Sequence, residues 1–244
     1  MHAVILAAGD GDRLGLLSGD VPKPLVTLGG RPIISYTLDA LRECDIERVS
    51  VVTGYRETQL RAALSAAEAG GMSASFISNE RFEEPASLSL RAAREACAEE
   101  PFLLVMADHV LSAPIVARLL DEKTRAAVSA SFVAADRAEH AEEYTAEATK
   151  LALAAGEPPQ RVVSIGKSVD GWSALDCGAF LLSPAIWGAV DAVPEACELS
   201  VIFTEAARRG ELFAADVSGA FWHDIDTIDD LADAERLLAL HTGA

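Results

Sequence analysis

Cysteine, lysine and net positive charge are all in short supply in this 244-residue sequence. Its four cysteines, Cys44, Cys97, Cys177 and Cys197, lie far apart and form no CxxC pair. That spacing argues against a zinc site or a disulfide framework and reads as reduced thiols. Against 38 acidic residues stand 20 basic ones, a net charge of −18. No global positive field exists to draw in a phosphate backbone, so nucleic acid is not expected as a partner. Docking on an anionic membrane surface is disfavoured on the same ground. No apolar run approaches the roughly 20 residues that span a bilayer, so membrane insertion is not expected. The opening MHAVILAAGDGDRL has no basic n-region, and its short apolar stretch ends in charges, which is not the pattern of a signal peptide. A cytoplasmic location is the expectation.

Half of the residues are hydrophobic and 24% are charged. A chain of this size and balance buries a substantial interior instead of staying disordered. No linker, repeat or low-complexity tract interrupts it, and a single domain over residues 1–244 is expected. Strand-like and helix-like segments alternate through the first half. HAVILAA (2–8), RVSVVTG (48–54), SASFIS (73–78), FLLVMAD (102–108) and AAVSASFV (126–133) read as strands. Helices are expected over 32–43, 57–68, near 88–98 and from Ala113. This rhythm predicts an α/β fold with a mixed, mostly parallel sheet covered by helices on both faces. The second half changes character. LALAAGEPPQRVVSIG reads as two strands around a Gly/Pro turn and WSALDCGAFLLS as another, with helices near 184–190, 198–209 and 228–240 and a strand at 211–217. Strands without helices between them predict a small antiparallel addition. The polar stretch 136–148 reads as a mobile loop.

In open parallel sheets, ligands bind beyond the carboxyl ends of the strands. Two features fall at such ends, the loop after Ala8 and Asp108. Gly9 and Gly11 let backbone N–H groups approach a phosphate closely, and Arg13 adds a fork of charged donors. A dinucleotide fingerprint fits poorly, because its third glycine would fall on Leu14 and the second strand ends in Thr53-Gly54 with no acid for a ribose. A plain glycine-rich turn is the blander alternative, and Lys23 weighs against it. Pro22 and Pro24 fix the backbone on either side of this cation. The chain has four lysines, Lys23, Lys123, Lys150 and Lys167, against sixteen arginines. Such a composition keeps lysine where a compact charge is useful. Solvated surface lysine is the alternative reading, weakest for Lys23.

Asp224 and Asp226 stand two apart in Trp222-His223-Asp224-Ile225-Asp226 and would share one side of an extended stretch. Facing Asp108 across a cleft, they would repel unless a cation joined them. Oxygen-only ligands favour magnesium shared with substrate phosphates. The alternative is that Asp226 caps the helix beginning near Thr227. His109 and His223 adjoin these acids, and a histidine so placed is more often a hydrogen-bonding or packing neighbour than a ligand.

The run Leu6-Ala7-Ala8-Gly9-Asp10-Gly11-Asp12-Arg13-Leu14, followed by Pro22-Lys23-Pro24-Leu25, resembles the signature of nucleotidyltransferases that activate sugar or alcohol phosphates. Within that superfamily the likeness is to the CTP:inositol-1-phosphate cytidylyltransferases. It is carried further by VTGYR (52–56), MADHV (106–110), EATK (147–150), Ile165-Gly166-Lys167 and the stretch Trp172 to Gly178, and covers nearly the whole chain. The resemblance implies a Rossmann-like domain of the nucleotide-diphospho-sugar transferase type. It implies Mg2+-dependent transfer of CMP from CTP to inositol 1-phosphate, giving CDP-inositol and pyrophosphate. Leu6, Ala7, Ala8, Gly9 and Gly11 would then hold the nucleotide, with Arg13 and Lys23 acting on its phosphates during transfer. Asn79, Ser87 and Ser89 would lie along the base, and Asp108, Asp224 and Asp226 would hold magnesium. Lys167 would grip the acceptor phosphate, with Glu147, Lys150 and Gly178 beside the acceptor.

The sequence departs from this pattern at Pro85-Ala86-Ser87-Leu88-Ser89, where the family has a Gly-Asn-Gly-like turn along the base. Losing those glycines bears on base selectivity. Bifunctional members carry a membrane-embedded phosphotransferase, so a later step is expected on a separate membrane-bound CDP-alcohol phosphotransferase. The nearest rival is the same chemistry on a sugar 1-phosphate, phosphocholine or a phosphonate, or with another NTP. A glycosyltransferase of this fold is more distant, since it would show a DxD motif where Asp108-His109-Val110 has one acid. A non-catalytic nucleotide-binding regulator is disfavoured by the full set of charged groups. Glu147 and Lys150, three apart, also fit a plain exposed ion pair.

Overall fold

A computed structural model of the chain describes residues 1–11, 21–67, 72–125 and 130–242. β1 (His2–Ala7) is followed by a 3-10 turn (Lys23–Leu25), the short strands β2 (Thr27–Leu28) and β3 (Arg31–Pro32), and α1 (Ile33–Glu43). Next come β4 (Arg48–Thr53), α2 (Glu57–Ala67), β5 (Ser73–Ser78), α3 (Ser87–Ala92) and α4 (Arg94–Cys97). β6 (Phe102–Met106), β7 (His109–Leu111), α5 (Ala113–Arg125), β8 (Ser131–Asp136) and α6 (Glu142–Glu147) follow. The remainder runs β9 (Lys150–Leu153), β10 (Val162–Gly166), β11 (Ala174–Leu182), α7 (Ile186–Asp191) and α8 (Leu199–Arg208). It closes with β12 (Leu212–Asp216), β13 (Trp222–Asp224) and α9 (Ile228–Thr242).

Among the described residues nine strands form the central sheet, in the order β10-β9-β11-β6-β1-β4-β5, with β8 paired to β11 and β12 to β8. β1 is buried along its whole length, as a central parallel strand covered on both faces must be. Its alternate residues divide the interior. Ala3, Ile5 and Ala7 face a cluster with Leu41, Leu60 and Leu119, while Val4 and Leu6 face one with Leu90, Trp187 and Phe203. This is the period of two expected of a strand, and it places helices on both sides of the sheet. The first half supplies the parallel ladders, β4 and β6 on β1 and β5 on β4. The second half adds antiparallel pairing through β11, β9 and β10, as the change in sequence character predicts.

Two registers position the site. Ala7 pairs with Thr53 and Leu6 with Met106, so β1, β4 and β6 end level and their following loops share one edge. Beyond that edge, β13 pairs antiparallel with β7, setting Asp224 opposite His109. Ile225 N–H then donates to the Asp108 carbonyl at 3.1 Å.

Several expectations need correction. The helix near 88–98 is two short ones, α3 and α4. The strand expected over 126–133 is β8, starting at Ser131, and 126–129 lie outside the described residues. The stretch 136–148 is not all loop, because it contains α6. Glu142 and Glu143 fall in the first turn of α6, where negative charge favours the helix dipole. Tyr144 anchors the helix by stacking on His223, ring centroids 5.0 Å apart.

Candidate active site

The level strand ends enclose a cleft of about 230 Å³ lined by Leu6, Ala7, Gly9, Asp10, Gly11, Lys23, Pro24, Ala107, Asp108 and Asp226. Residues from both halves of the sequence signature thus meet in one place. Ala8 is buried, its carbonyl accepting the Tyr55 N–H at 2.9 Å. Arg13 lies outside the described residues.

Lys23 sits at the start of its 3-10 turn, after Pro22 in extended conformation. It is 7% exposed. Its ammonium donates to Asp108 Oδ2 at 2.9 Å and to Asp226 Oδ1 at 2.7 Å. Burial opposes this charge, but Asp108 and then Asp226 outweigh it and hold the Lys23 pKa above the ordinary lysine range. Gly11 makes the approach possible. Its φ is +66°, and a Cβ there would lie 2.6 Å from Lys23 Cβ, so only glycine fits against the lysine stem.

Asp108 divides its two oxygens. Oδ2 takes Lys23, and Oδ1 lies 2.9 Å from His109 Nδ1. Burial disfavours the Asp108 carboxylate, yet Lys23 and His109 together hold its pKa below the usual carboxylate range. His109 Nδ1 also lies 3.7 Å from Asp224 Oδ1. Burial pulls the His109 pKa down, but Asp224 and Asp108 outweigh it and raise it to about 9. For Asp224, burial and the charges of Asp108 and Asp226 raise the pKa to about 6 against the pull of His109.

Asp108, His109 and Asp224 bring one ligand atom each within 4.8 Å of one another. The Oδ1 of Asp224 is buried with no hydrogen-bond partner among the described residues. A buried carboxylate oxygen left unsatisfied is costly, and a donor set of this composition fits a divalent cation. His109 Nδ1 stands between the two carboxylates, 2.9 Å from Asp108 Oδ1 and 3.7 Å from Asp224 Oδ1, and would have to give up its proton to ligate a cation there. Asp226 does not join this group; its carboxylate faces Lys23. Nor does Asp226 cap α9. Thr227 does, its Oγ1 accepting the Asp230 N–H at 3.2 Å while Asp230 Oδ2 accepts the Thr227 N–H at 2.7 Å, a reciprocal capping box.

Glu147 ends α6 and Lys167 follows β10, and their side chains meet at 3.7 Å with 82% and 53% exposure. The structure gives Lys150 another task than the expected contact with an acceptor, because its ammonium donates to the carbonyls of Ala146, Ala148 and Lys167. The Glu147–Lys150 ion pair is likewise replaced by Glu147–Lys167. Gly178 adopts φ +71°, and a Cβ would fall 2.4 Å from the His109 ring, so its place is beneath the histidine. Its N–H donates to Asp176 Oδ1 at 2.9 Å. Burial pushes the Asp176 pKa up to about 7. Sequence reasoning missed Asp176; the available signal was an aspartate two before a glycine, where its side chain bonds the following backbone.

Asn79 Nδ2 donates to Ser89 Oγ at 3.0 Å, and both residues are buried. Ser87 is corrected. Its hydroxyl donates to the Glu195 carbonyl at 2.8 Å and accepts the Cys197 N–H at 2.9 Å, so it straps the 195–197 loop and its only hydrogen is spent there.

Comparison with known proteins finds relatives over nearly the whole chain. Residues 3–190 match the family described as the MobA-like NTP transferase domain. The "bifunctional IPC transferase and DIPP synthase" of Aquifex aeolicus is 30% identical over 97% of this chain and 51% of its own length. The protein of the same name from Archaeoglobus fulgidus is 32% identical over 98% of this chain and 44% of its own. The chain thus spans about half the length of the curated relatives it matches. In fold it is similar to the inositol-1-phosphate CTP transferase from T. maritima, with a TM-score of 0.82, 22% identity, and 98% of this chain and 94% of that one covered.

Proposed function

The chain belongs to the family of MobA-like NTP transferase domains, and we propose that it transfers CMP from CTP to inositol 1-phosphate, giving CDP-inositol and pyrophosphate. The observation that carries the reading is the meeting of the Gly9–Gly11 loop, Lys23 and Asp108 in one cleft at the ends of β1 and β6. The names of relatives similar over nearly the whole chain support the choice of nucleotide and acceptor. We propose further that residues 1–244 act as one nucleotidyltransferase domain working in the cytoplasm. No helix among the described residues is long and apolar enough to cross a membrane. Consumption of the CDP-alcohol would fall to a membrane-bound CDP-alcohol phosphotransferase.

In the proposed reaction a phosphate oxygen of the acceptor attacks the α-phosphorus of CTP in line. A new P–O bond forms as the α–β bridging bond breaks, and pyrophosphate leaves with the electron pair. Such transfer depends on positioning and charge stabilisation, so no protein nucleophile is required. The Gly9–Gly11 backbone and Arg13 receive the triphosphate. Lys23 supplies a compact, fully charged donor toward the departing phosphates. Lys167 offsets the acceptor phosphate locally, which the bulk field of a molecule of net charge −18 would oppose. Asp108 and Asp224, with His109 beside them, would hold magnesium, which when bound neutralises charge on the α-phosphate. Phosphorus NMR of the product mixture tests the proposal. A pyrophosphodiester signal from CDP-inositol together with free pyrophosphate is expected; release of inorganic phosphate alone would contradict it.

A further inference from the structure

We infer that Lys150 is a positioning residue of the acceptor site, one that builds the wall carrying Glu147 and Lys167 without itself touching the acceptor; the inference rests on the acceptor-side reading above. Lys150 is 8% exposed. Its ammonium lies 3.2 Å from the Ala146 carbonyl, 3.2 Å from that of Ala148 and 3.0 Å from that of Lys167. An ammonium has three donors and no acceptor, so its full complement is committed to backbone. The carbonyls come from two segments, the end of α6 and the loop after β10. The backbone of Lys150 is also a junction, since β9 pairs it with Gly166 on one side and Leu175 on the other. The preceding carbonyl, of Thr149, accepts the Asp176 N–H at 2.9 Å. One residue therefore ties together the stretches that carry Glu147, Lys167 and Asp176.

The Glu147–Lys167 pair cannot fix its own geometry. Both side chains are largely exposed, and exposed ion pairs contribute little. Their separation is set by the backbone beneath, and that backbone converges on the Lys150 ammonium. Removing the ammonium leaves carbonyl oxygens pointed at one another with no donor between them, which low-dielectric surroundings penalise. A guanidinium is no substitute, because its planar fork cannot present three donors about one tetrahedral nitrogen.

A double-mutant cycle on the whole protein, using inositol 1-phosphate and CTP, tests this with Lys150→Met and Lys167→Ala. Lys150→Met is expected to raise the acceptor KM about tenfold and to change the CTP KM by less than about twofold. Added to Lys167→Ala it should cost less than about a further twofold, because coupled residues acting on one contact are not additive. Independent, multiplying effects would overturn the proposal by showing that Lys150 has its own contact with the acceptor. An unchanged acceptor KM would overturn it too. Amide hydrogen exchange on the substrate-free protein gives a readout independent of acceptor identity. Exchange should quicken over 142–149 and 166–173 and stay unchanged in β1, β4 and β6; unaltered exchange in those two segments would refute the clamp. Should Lys150→Met not fold, Lys150→Arg is expected to show the same rise in acceptor KM, and wild-type values in that variant would refute the proposal. If the wild-type protein does not use inositol 1-phosphate, the functional reading fails and exchange alone decides the clamp.

Discussion

Lys23 is buried, charged and shared between two carboxylates, a combination that is destabilising unless every partner is present. In the proposed reaction its value would lie in charge that appears only as the α–β bond breaks. Lys23→Ala should therefore lower kcat by about a hundredfold or more while moving the CTP KM by less than about fivefold, and Arg13→Ala should act in the same direction. Steady-state kinetics checks this; a change confined to KM would mean uniform binding. Asp108→Asn keeps the shape and removes the charge. Turnover should drop more than about tenfold, and chelation of divalent cations should abolish activity in the unmodified protein. The fold should survive but with a lowered melting temperature, since the substitution takes one of two carboxylates from the buried Lys23 ammonium. Activity surviving in the chelator would refute the metal assignment.

A buried aspartate outside the cleft allows a test of pH dependence away from the proposed reaction. Asp136 is 4% exposed and accepts from His140 Nε2 at 2.9 Å, Trp222 Nε1 at 2.8 Å and the Ala138 N–H at 2.9 Å. Burial disfavours its charge, but these donors outweigh it and hold its pKa below the usual carboxylate range. A depressed folded pKa contributes stability that is fully present above the unfolded value, about 3.9, and is lost as pH falls toward the folded one. Denaturant melts should accordingly find Asp136→Asn less stable than the unmodified protein at pH 6, with the gap closing below about pH 4. A gap constant from pH 6 to pH 3 would contradict this.

Among the elements, the β7–β13 ladder and the start of α9 matter most. Asp108 and Asp224 were each legible in the sequence as acids ending apolar or extended stretches. Their meeting depends on a three-residue ladder between segments over a hundred positions apart, which no local pattern announces. The capping box at Thr227 was legible in principle as a threonine followed three residues later by an acid. It takes the capping task away from Asp226, whose carboxylate faces Lys23. Thr227→Ala should cost about 1 kcal/mol, lowering the melting temperature by about 2–4 °C in a protein of this size. Calorimetry checks it, and an unchanged transition would mean that another group supplies the cap. Lys150 illustrates the opposite limit. Its spacing from Glu147 suggests a surface pair, and only the tertiary path of α6 and the loop after β10 brings three carbonyls to its ammonium. Resemblance places Ser87 along the base, but the 195–197 loop, more than a hundred residues later, takes its hydroxyl.

Across the whole molecule, strand order does the positioning. With β1 between β4 and β6, the glycine loop, Thr53-Gly54 and Ala107-Asp108 emerge at one edge, which is where ligands bind in such sheets. That much followed from the alternation of strands and helices in the first half. The second half brings Asp226 to the cleft lining and sets Gly178 of β11 against the His109 ring. In a molecule of net charge −18 the few committed cations would have to draw in the two anionic substrates of the proposed reaction, which ties its selectivity to where those cations stand. Pyrophosphate release measured for the four NTPs against inositol 1-phosphate, glucose 1-phosphate and phosphocholine tests this most directly. The fastest release should come from CTP with inositol 1-phosphate, and phosphocholine should be a poor acceptor. Equal rates with all four NTPs, or faster release with another acceptor, would contradict the assignment of cytidylyl transfer to an inositol phosphate.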